Sequence, residues 1–151
     1  MQRKQAWFER VDDKVLAVGR YLSHSAPSQA DAFLDQAVAA FKAAPKAAIA
    51  EFNKLGGRFV QEDLYVLVVE AKTDRFVAHG VMPRLVGTKG EGLRDRNGKP
   101  LIHEMMAIAQ SKGRGQIDYD WPNPVTKRTE SKRTRFELVD GHNVAVGYYM
   151  K

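Results

Sequence analysis

The chain has 151 residues, 44% hydrophobic and 28% charged, a balance that fits one globular domain with a single core and excludes a disordered chain. It contains no cysteine, which removes disulfide frameworks and thiolate metal sites. A net charge of +6 draws anionic partners, whether nucleic acid, anionic lipid or a small carboxylate, without choosing among them.

No apolar run approaches the roughly eighteen residues of a membrane span, and Met1 to Arg20 alternates charge with apolar side chains where a signal peptide needs a continuous hydrophobic centre. From Gln2 to His24, Trp7, Val11, Val15, Val18 and Leu22 recur at spacings of three and four, which predicts a long amphipathic helix. Ser25-Ala26-Pro27-Ser28 breaks the pattern and supplies a cap, and Ala30, Phe33, Leu34, Ala37, Val38 and Phe41 then mark a second helix that Pro45 interrupts. A short third helix carries Ile49 and Phe52 and stops at Gly56-Gly57.

Beyond Gly57 the period changes. Leu64 to Val69 is a short β-branched run expected to be buried on both faces, and Arg75 to His79 is its antiparallel partner across the Lys72-Thr73-Asp74 turn. Gly80 to Lys99 reads as irregular, and Leu101, Ile102, Met105, Ile108 and Ala109 define a helix ending at Gly113. Three strands near 115–121, 130–139 and 143–150 complete a meander. The sum is an α+β fold, a five-stranded antiparallel sheet with a long N-terminal helix, with a helical region over 1–33 ahead of a sheet domain over 34–151; its outline is PAS-like, although layer rules alone also allow other sheet-plus-helix folds.

Enzyme and metal motifs fail on their spacing. His103-Glu104 lies on a helix, but Ala107 stands where a zinc protease needs its second histidine. Asp95-Arg96-Asn97-Gly98 begins like a calcium loop, yet Arg96 and Lys99 bring positive charge to it, so it reads as a turn. The glycines at 87, 90 and 92 lack nucleotide-binding spacing. No catalytic residue, metal or cofactor is assigned.

The strand from Gly115 is more informative. Alternation puts Ile117, Tyr119 and Trp121 on one face and Gln116, Asp118 and Asp120 on the other. An apolar face carrying a phenol and an indole suits either a satisfied core or the wall of a small-molecule pocket. The basic run Lys127 to Arg135 splits on a strand: Lys132 and Thr134 share a face with Phe136 and Leu138, whereas Arg133 and Arg135 share the other with Glu137. That split argues against a nucleic-acid groove. A cation on the apolar face at Lys132 is costly unless it is exposed near the strand end or paired with an anion, and a bound carboxylate would serve as that partner.

Phe59-Val60-X-X-Asp63-Leu64-Tyr65-Val66, Val77-Ala78-His79-Gly80, Leu85-Val86-Gly87, Asp95-X-X-Gly98-Lys99-Pro100, Asp118-Tyr119-X-Trp121-Pro122-Asn123-Pro124 and Ser131-Lys132 occur in this order, and together they resemble the single-Cache family. The resemblance runs from about Leu34 to Tyr149. It implies a non-enzymatic, PAS-like extracytoplasmic sensor of a small organic acid, as in chemoreceptors and sensor kinases or as a stand-alone form. Matched position by position, it implies that His79, Tyr119, Trp121 and Lys132 line the pocket, with Lys132 and His79 on the carboxylate and the rings around its apolar tail. A PAS-like dimerisation module whose pocket is filled by its own side chains is the alternative.

Four positions depart from the family pattern: Gly80 replaces proline, Gln116 a tryptophan, Ser131 a proline and Arg135 a tyrosine. An inward Arg135 would favour a diacid, although the alternation turns it away from Lys132. The expected partners are a small carboxylate and a second copy of the chain through the N-terminal helix, with no nucleic acid, and with a membrane only through segments this sequence lacks.

Overall fold

The computed structural model describes residues 3–11, 14–22 and 24–150, with side chains from His24 onward. The helix expected from Gln2 to His24 is not formed. Strands β1 (Arg3–Val11) and β2 (Lys14–Leu22) pair antiparallel instead, from Arg3 opposite Leu22 to Val11 opposite Lys14. The apolar spacing fits a helix, but β-branched Val11, Val15 and Val18 prefer a strand, and the sequence places two aspartates, a common turn pair, between the halves. The region over 1–33 is therefore helical only from Pro27, and a dimer through a helix at Gln2 to His24 loses its structural basis.

Helix α1 (Pro27–Ala43) starts with Pro27 in its first turn, where a missing N–H costs nothing, and the Ala26 N–H donates to Gln29 Oε1 at 2.6 Å. Helix α2 (Pro45–Phe52) restarts on the same principle at Pro45. The main sheet runs β3 (Val60–Gln61), β4 (Leu64–Glu70), β8 (His142–Tyr149), β7 (Thr129–Val139), β6 (Arg114–Pro122), with β5 (Arg75–His79) also pairing β4. It has six strands where five were expected, because the Phe59-Val60 segment folds back on the start of β4 as β3. The PAS-like α+β architecture, the β4–β5 hairpin and the β6–β7–β8 meander are as the sequence predicts.

The two faces of this sheet bury different things. Val66, Val68, Val144, Val146 and Tyr148 on one face pack against Phe33, Leu34, Phe41, Ala48 and Phe52 of α1 and α2. On the other, Leu67, Val69, Ile117, Phe136 and Ala145 meet Ile102, Met105 and Ala109 of α3 (Leu101–Lys112). Each large apolar side chain buried this way contributes about 1.5–3 kcal/mol. The α3 face also carries Tyr65, Tyr119, Tyr149, His79 and Lys132, all at most 5% exposed. It is the face with chemistry.

Candidate functional site

Register builds the site. Lys132 on β7 lies directly between Tyr119 on β6 and Tyr149 on β8, so the three side chains form one row across the sheet. Tyr65, near the start of β4, rises from the same face. Gly147 on β8, opposite Thr134, leaves the gap that Lys132 crosses: a Cβ there would fall inside van der Waals contact of Lys132 Cε and Thr134 Oγ1.

The ammonium ends in an aromatic cage. Lys132 Nζ donates to Tyr65 Oη at 2.8 Å and lies 4.1, 5.2 and 5.9 Å from the ring centroids of Tyr65, Tyr149 and Tyr119. Lys132 is 1% exposed, and none of the ion pairs among the described residues involves it. Burial pushes its pKa down to about 7, against a weaker opposing pull from the Asp63 carboxylate.

The hydroxyls around it have one consistent direction. Tyr149 donates its proton to the Pro122 carbonyl at 2.7 Å. In the 3.2 Å contact between the two phenols Tyr65 must therefore be the donor, while its oxygen accepts from Lys132. Burial raises the pKa values of Tyr65, Tyr119 and Tyr149, so all three stay protonated. Tyr119 is held by Thr134 at 2.8 Å and meets Trp121 edge-on at 6.0 Å.

His79 closes the cage at β5, its ring 5.0 Å from that of Tyr65. Its Nδ1 accepts the backbone N–H groups of Met82 at 2.9 Å and Val81 at 3.3 Å, which places the ring proton on Nε2. Desolvation, reinforced by Lys132 and Arg84, pushes its pKa down to about 3, so it is a neutral donor. Asn53, just past α2, fixes this strand end by accepting the His79 N–H and donating to the Val77 carbonyl. The four residues singled out in the sequence are thus neighbours. Tyr65, Tyr149 and Gly147 complete the group and were missed.

Gly80 has a local reason. Its N–H donates to the Val66 carbonyl at 3.0 Å, a bond no proline can make, and its backbone approaches Tyr65 Cβ too closely for a side chain. Arg135 lies on the α1 face, paired with Asp31 and Gln116 and 5.4 Å from the Tyr148 ring centroid. Gln116 and Ser131 lie outside the cage.

The irregular segment is fastened over the site. Asp95 accepts the Asn97 and Lys99 N–H groups with Oδ1 and the Asp120 N–H with Oδ2, while Asp120 takes Arg96 at 2.8 Å and Asn97 at 3.0 Å. The clamp falls between Tyr119 and Trp121. Beside it, a surface pocket of about 320 Å³ is lined by Met82, Arg84, Arg94, Asp95 and Trp121 among others, so Trp121 stands between solvent and the cage. On the other side, Ser25 donates to Asp63 and His24 Nε2 meets Glu130 at 2.7 Å, which ties the segment leading into α1 to the strands that carry Tyr65 and Lys132.

The profile of Single Cache domain 2 (sCache_2) matches residues 33–151. The chain belongs to this family. Among solved structures, this Cache domain is similar to a Cache chemosensory domain described for carboxylic acid recognition, with a TM-score of 0.68 and 21% identity over 82% of this chain and 92% of that one. It is also similar to a methyl-accepting chemotaxis protein from Vibrio parahaemolyticus RIMD 2210633 (TM-score 0.67, 20% identity, 81% and 86% covered). A third similar structure is a periplasmic sensor domain of a chemotaxis protein (0.63, 25%, 82% and 90%). At these identities the first two likenesses speak for the fold.

Proposed function

We propose that this Cache domain binds, without transforming it, a small organic acid whose carboxylate meets Lys132 and the His79 Nε2–H while Tyr65, Tyr119, Tyr149 and Trp121 enclose its short apolar part. One observation carries the reading: a fully buried lysine whose one side-chain hydrogen bond among the described residues goes to a neutral hydroxyl. A cation taken from water without a counter-ion is costly, and an entering carboxylate removes most of that cost. The similarity to chemosensory and periplasmic sensor domains supports a sensing role on the extracytoplasmic side. Among the described residues no helix is long and apolar enough to cross a membrane.

The signal is a population shift. An acid that binds better when the clamp on Asp120 is closed draws the domain into that state, and the Ser25–Asp63 and His24–Glu130 ties pass the change to the segment before α1. Arg133 and Arg135 are engaged by Asp118 and Asp31, which leaves them poorly placed for a nucleic-acid backbone.

A thermal-shift screen against acetate, propionate, lactate and pyruvate tests the proposal. An acid at a hundred times its Kd adds about 2.7 kcal/mol of stability, and this gain should vanish in Lys132→Met. The near-complete burial of Lys132 and His79 also fits the alternative, a dimerisation module closed by its own side chains. That reading takes over if no acid shifts the melt and melting depends on protein concentration instead.

A further inference from the structure

The cage contains one cation with no acid in ion-pair contact with it among the described residues, and this has a consequence for the charge of what it accepts. Among the described residues the titratable groups that bear on Lys132 Nζ are Tyr65 from β4, Tyr119 from β6, Tyr149 from β8, His79 from β5, and the buried Asp63 carboxylate ahead of β4. The three phenols are protonated, and His79 is neutral because its Nδ1 is occupied by two backbone N–H groups. Asp63 accepts from Ser25 and makes no ion pair with Lys132, and its pull on the ammonium is weaker than the cost of burial. Arg84 bears on His79 and adds positive potential at the mouth.

We propose, on the basis of the carboxylate reading above, that the cage takes up a monocarboxylate together with one proton, so that the species sensed is in effect the acid itself. Among the described residues the buried amine has a phenol oxygen to donate to and three ring faces at 4.1 to 5.9 Å, which holds the charged form back. A carboxylate beside Nζ reverses that balance, since an opposite charge in a dry site favours the ammonium strongly. Proton and anion therefore enter as one unit with no net charge. A second carboxylate on the ligand would find no further cation within the cage, because Arg135 lies on the opposite face of the sheet and Arg84 stands outside it, on the surface pocket beside Trp121.

The sign follows from linkage. Below about pH 7 the amine of the empty cage is already protonated and binding takes up little; above it the amine is neutral and binding must draw a proton from solution. The apparent Kd is then flat at low pH and rises toward tenfold per pH unit, roughly a hundredfold between pH 6 and pH 9.

Calorimetric titration with propionate at pH 6 and pH 8.5, each in two buffers of different ionisation enthalpy, counts the protons directly. The expected result is an uptake near zero at pH 6 and approaching one at pH 8.5, with propionate preferred to succinate. Tight binding with no uptake at either pH, or equal affinity at both, overturns the proton coupling and leaves the carboxylate reading intact. Absence of heat or thermal shift with every acid at both pH values, from protein whose melt is cooperative, overturns the carboxylate reading and this inference with it. The decisive count is made on the unaltered chain, so it does not depend on a variant that folds.

Discussion

Strand β7 carries cations on both faces, and they live under opposite rules. On the α1 and α2 face, Arg135 is partnered by Asp31 and Gln116 and lies over the Tyr148 ring, and Arg133 is held in a fork by both oxygens of Asp118. On the α3 face Lys132 is sealed among rings with no acid beside it. The first face is built for stability, with Phe33, Phe41, Phe52 and six buried valines packed together and Arg133 and Arg135 each paired with an acid. The second gives up some of that stability to keep a polar group ready. The place where a sheet tolerates an unmatched cation is the place to look for its ligand.

The comparison breaks most visibly at Phe52, which is wholly buried and meets Phe59 edge-on at 4.8 Å. Phe52→Ala should cost about 3–5 kcal/mol in urea denaturation, by lost transfer energy and the cavity left behind. The affinity for an acid, read by calorimetry on the protein that remains folded, should stay within about twofold, because the sheet separates this side chain from the cage. A large affinity loss at full occupancy of the fold would show that the two faces are not independent.

Lys132→Met should move stability the other way. It removes a desolvated cation and keeps the apolar volume, so the empty domain should gain about 1–3 kcal/mol near pH 7, by analogy with buried charges replaced by hydrophobes. The pH dependence identifies the cause. In the native chain Lys132 is depressed to about 7 from an ordinary value of 10.5, so between those limits the unfolded state holds the extra proton and native stability rises with pH. The gap between variant and native chain should therefore narrow from pH 7 toward pH 10, and a gap that is constant or widens would remove the buried ammonium from the account. His79, depressed to about 3 by desolvation first, works the same way on the acid side in both proteins: stability falls by up to about 1.4 kcal/mol per unit as pH drops from 6.5 toward 3.

Much of this face was legible before any coordinates. Period two put Tyr119 and Trp121 on one face of β6 and Lys132 and Arg135 on opposite faces of β7, because alternation is the local geometry of a strand, and it was the family resemblance that joined the two strands with His79. Tyr65, Tyr149 and Gly147 were not legible, since they join the cage through the register of β4, β8 and β7, and register between distant strands is set by packing. The N-terminal segment failed for a different reason. The steps of four from Trp7 to Val11 and Val11 to Val15 satisfy both periods, only the step of three to Val18 is helical, and the helical period was chosen where β-branching and the aspartate pair spoke for a hairpin. Asn123 was passed over too: quoted only within the motif from Asp118 to Pro124, it accepts the Val125 N–H and donates to Glu130, fixing the loop whose Pro122 carbonyl receives Tyr149.

The smallest expected effect tests the other side of the comparison. Arg135→Gln removes the pair with Asp31 and the contact with Tyr148 at the rim of the α1 face. Its guanidinium side chain is about a quarter exposed and Asp31 about half, so solvent screens the pair and the loss in denaturation should be under about 1 kcal/mol, smaller still in high salt. Neither the Kd for propionate nor its preference over succinate should change. If Arg135→Gln selectively weakens succinate, this guanidinium reaches the ligand and the cage is not a one-cation site; if it leaves both acids untouched, the division of labour between the two faces of β7 holds at the residue where the sequence made it hardest to see.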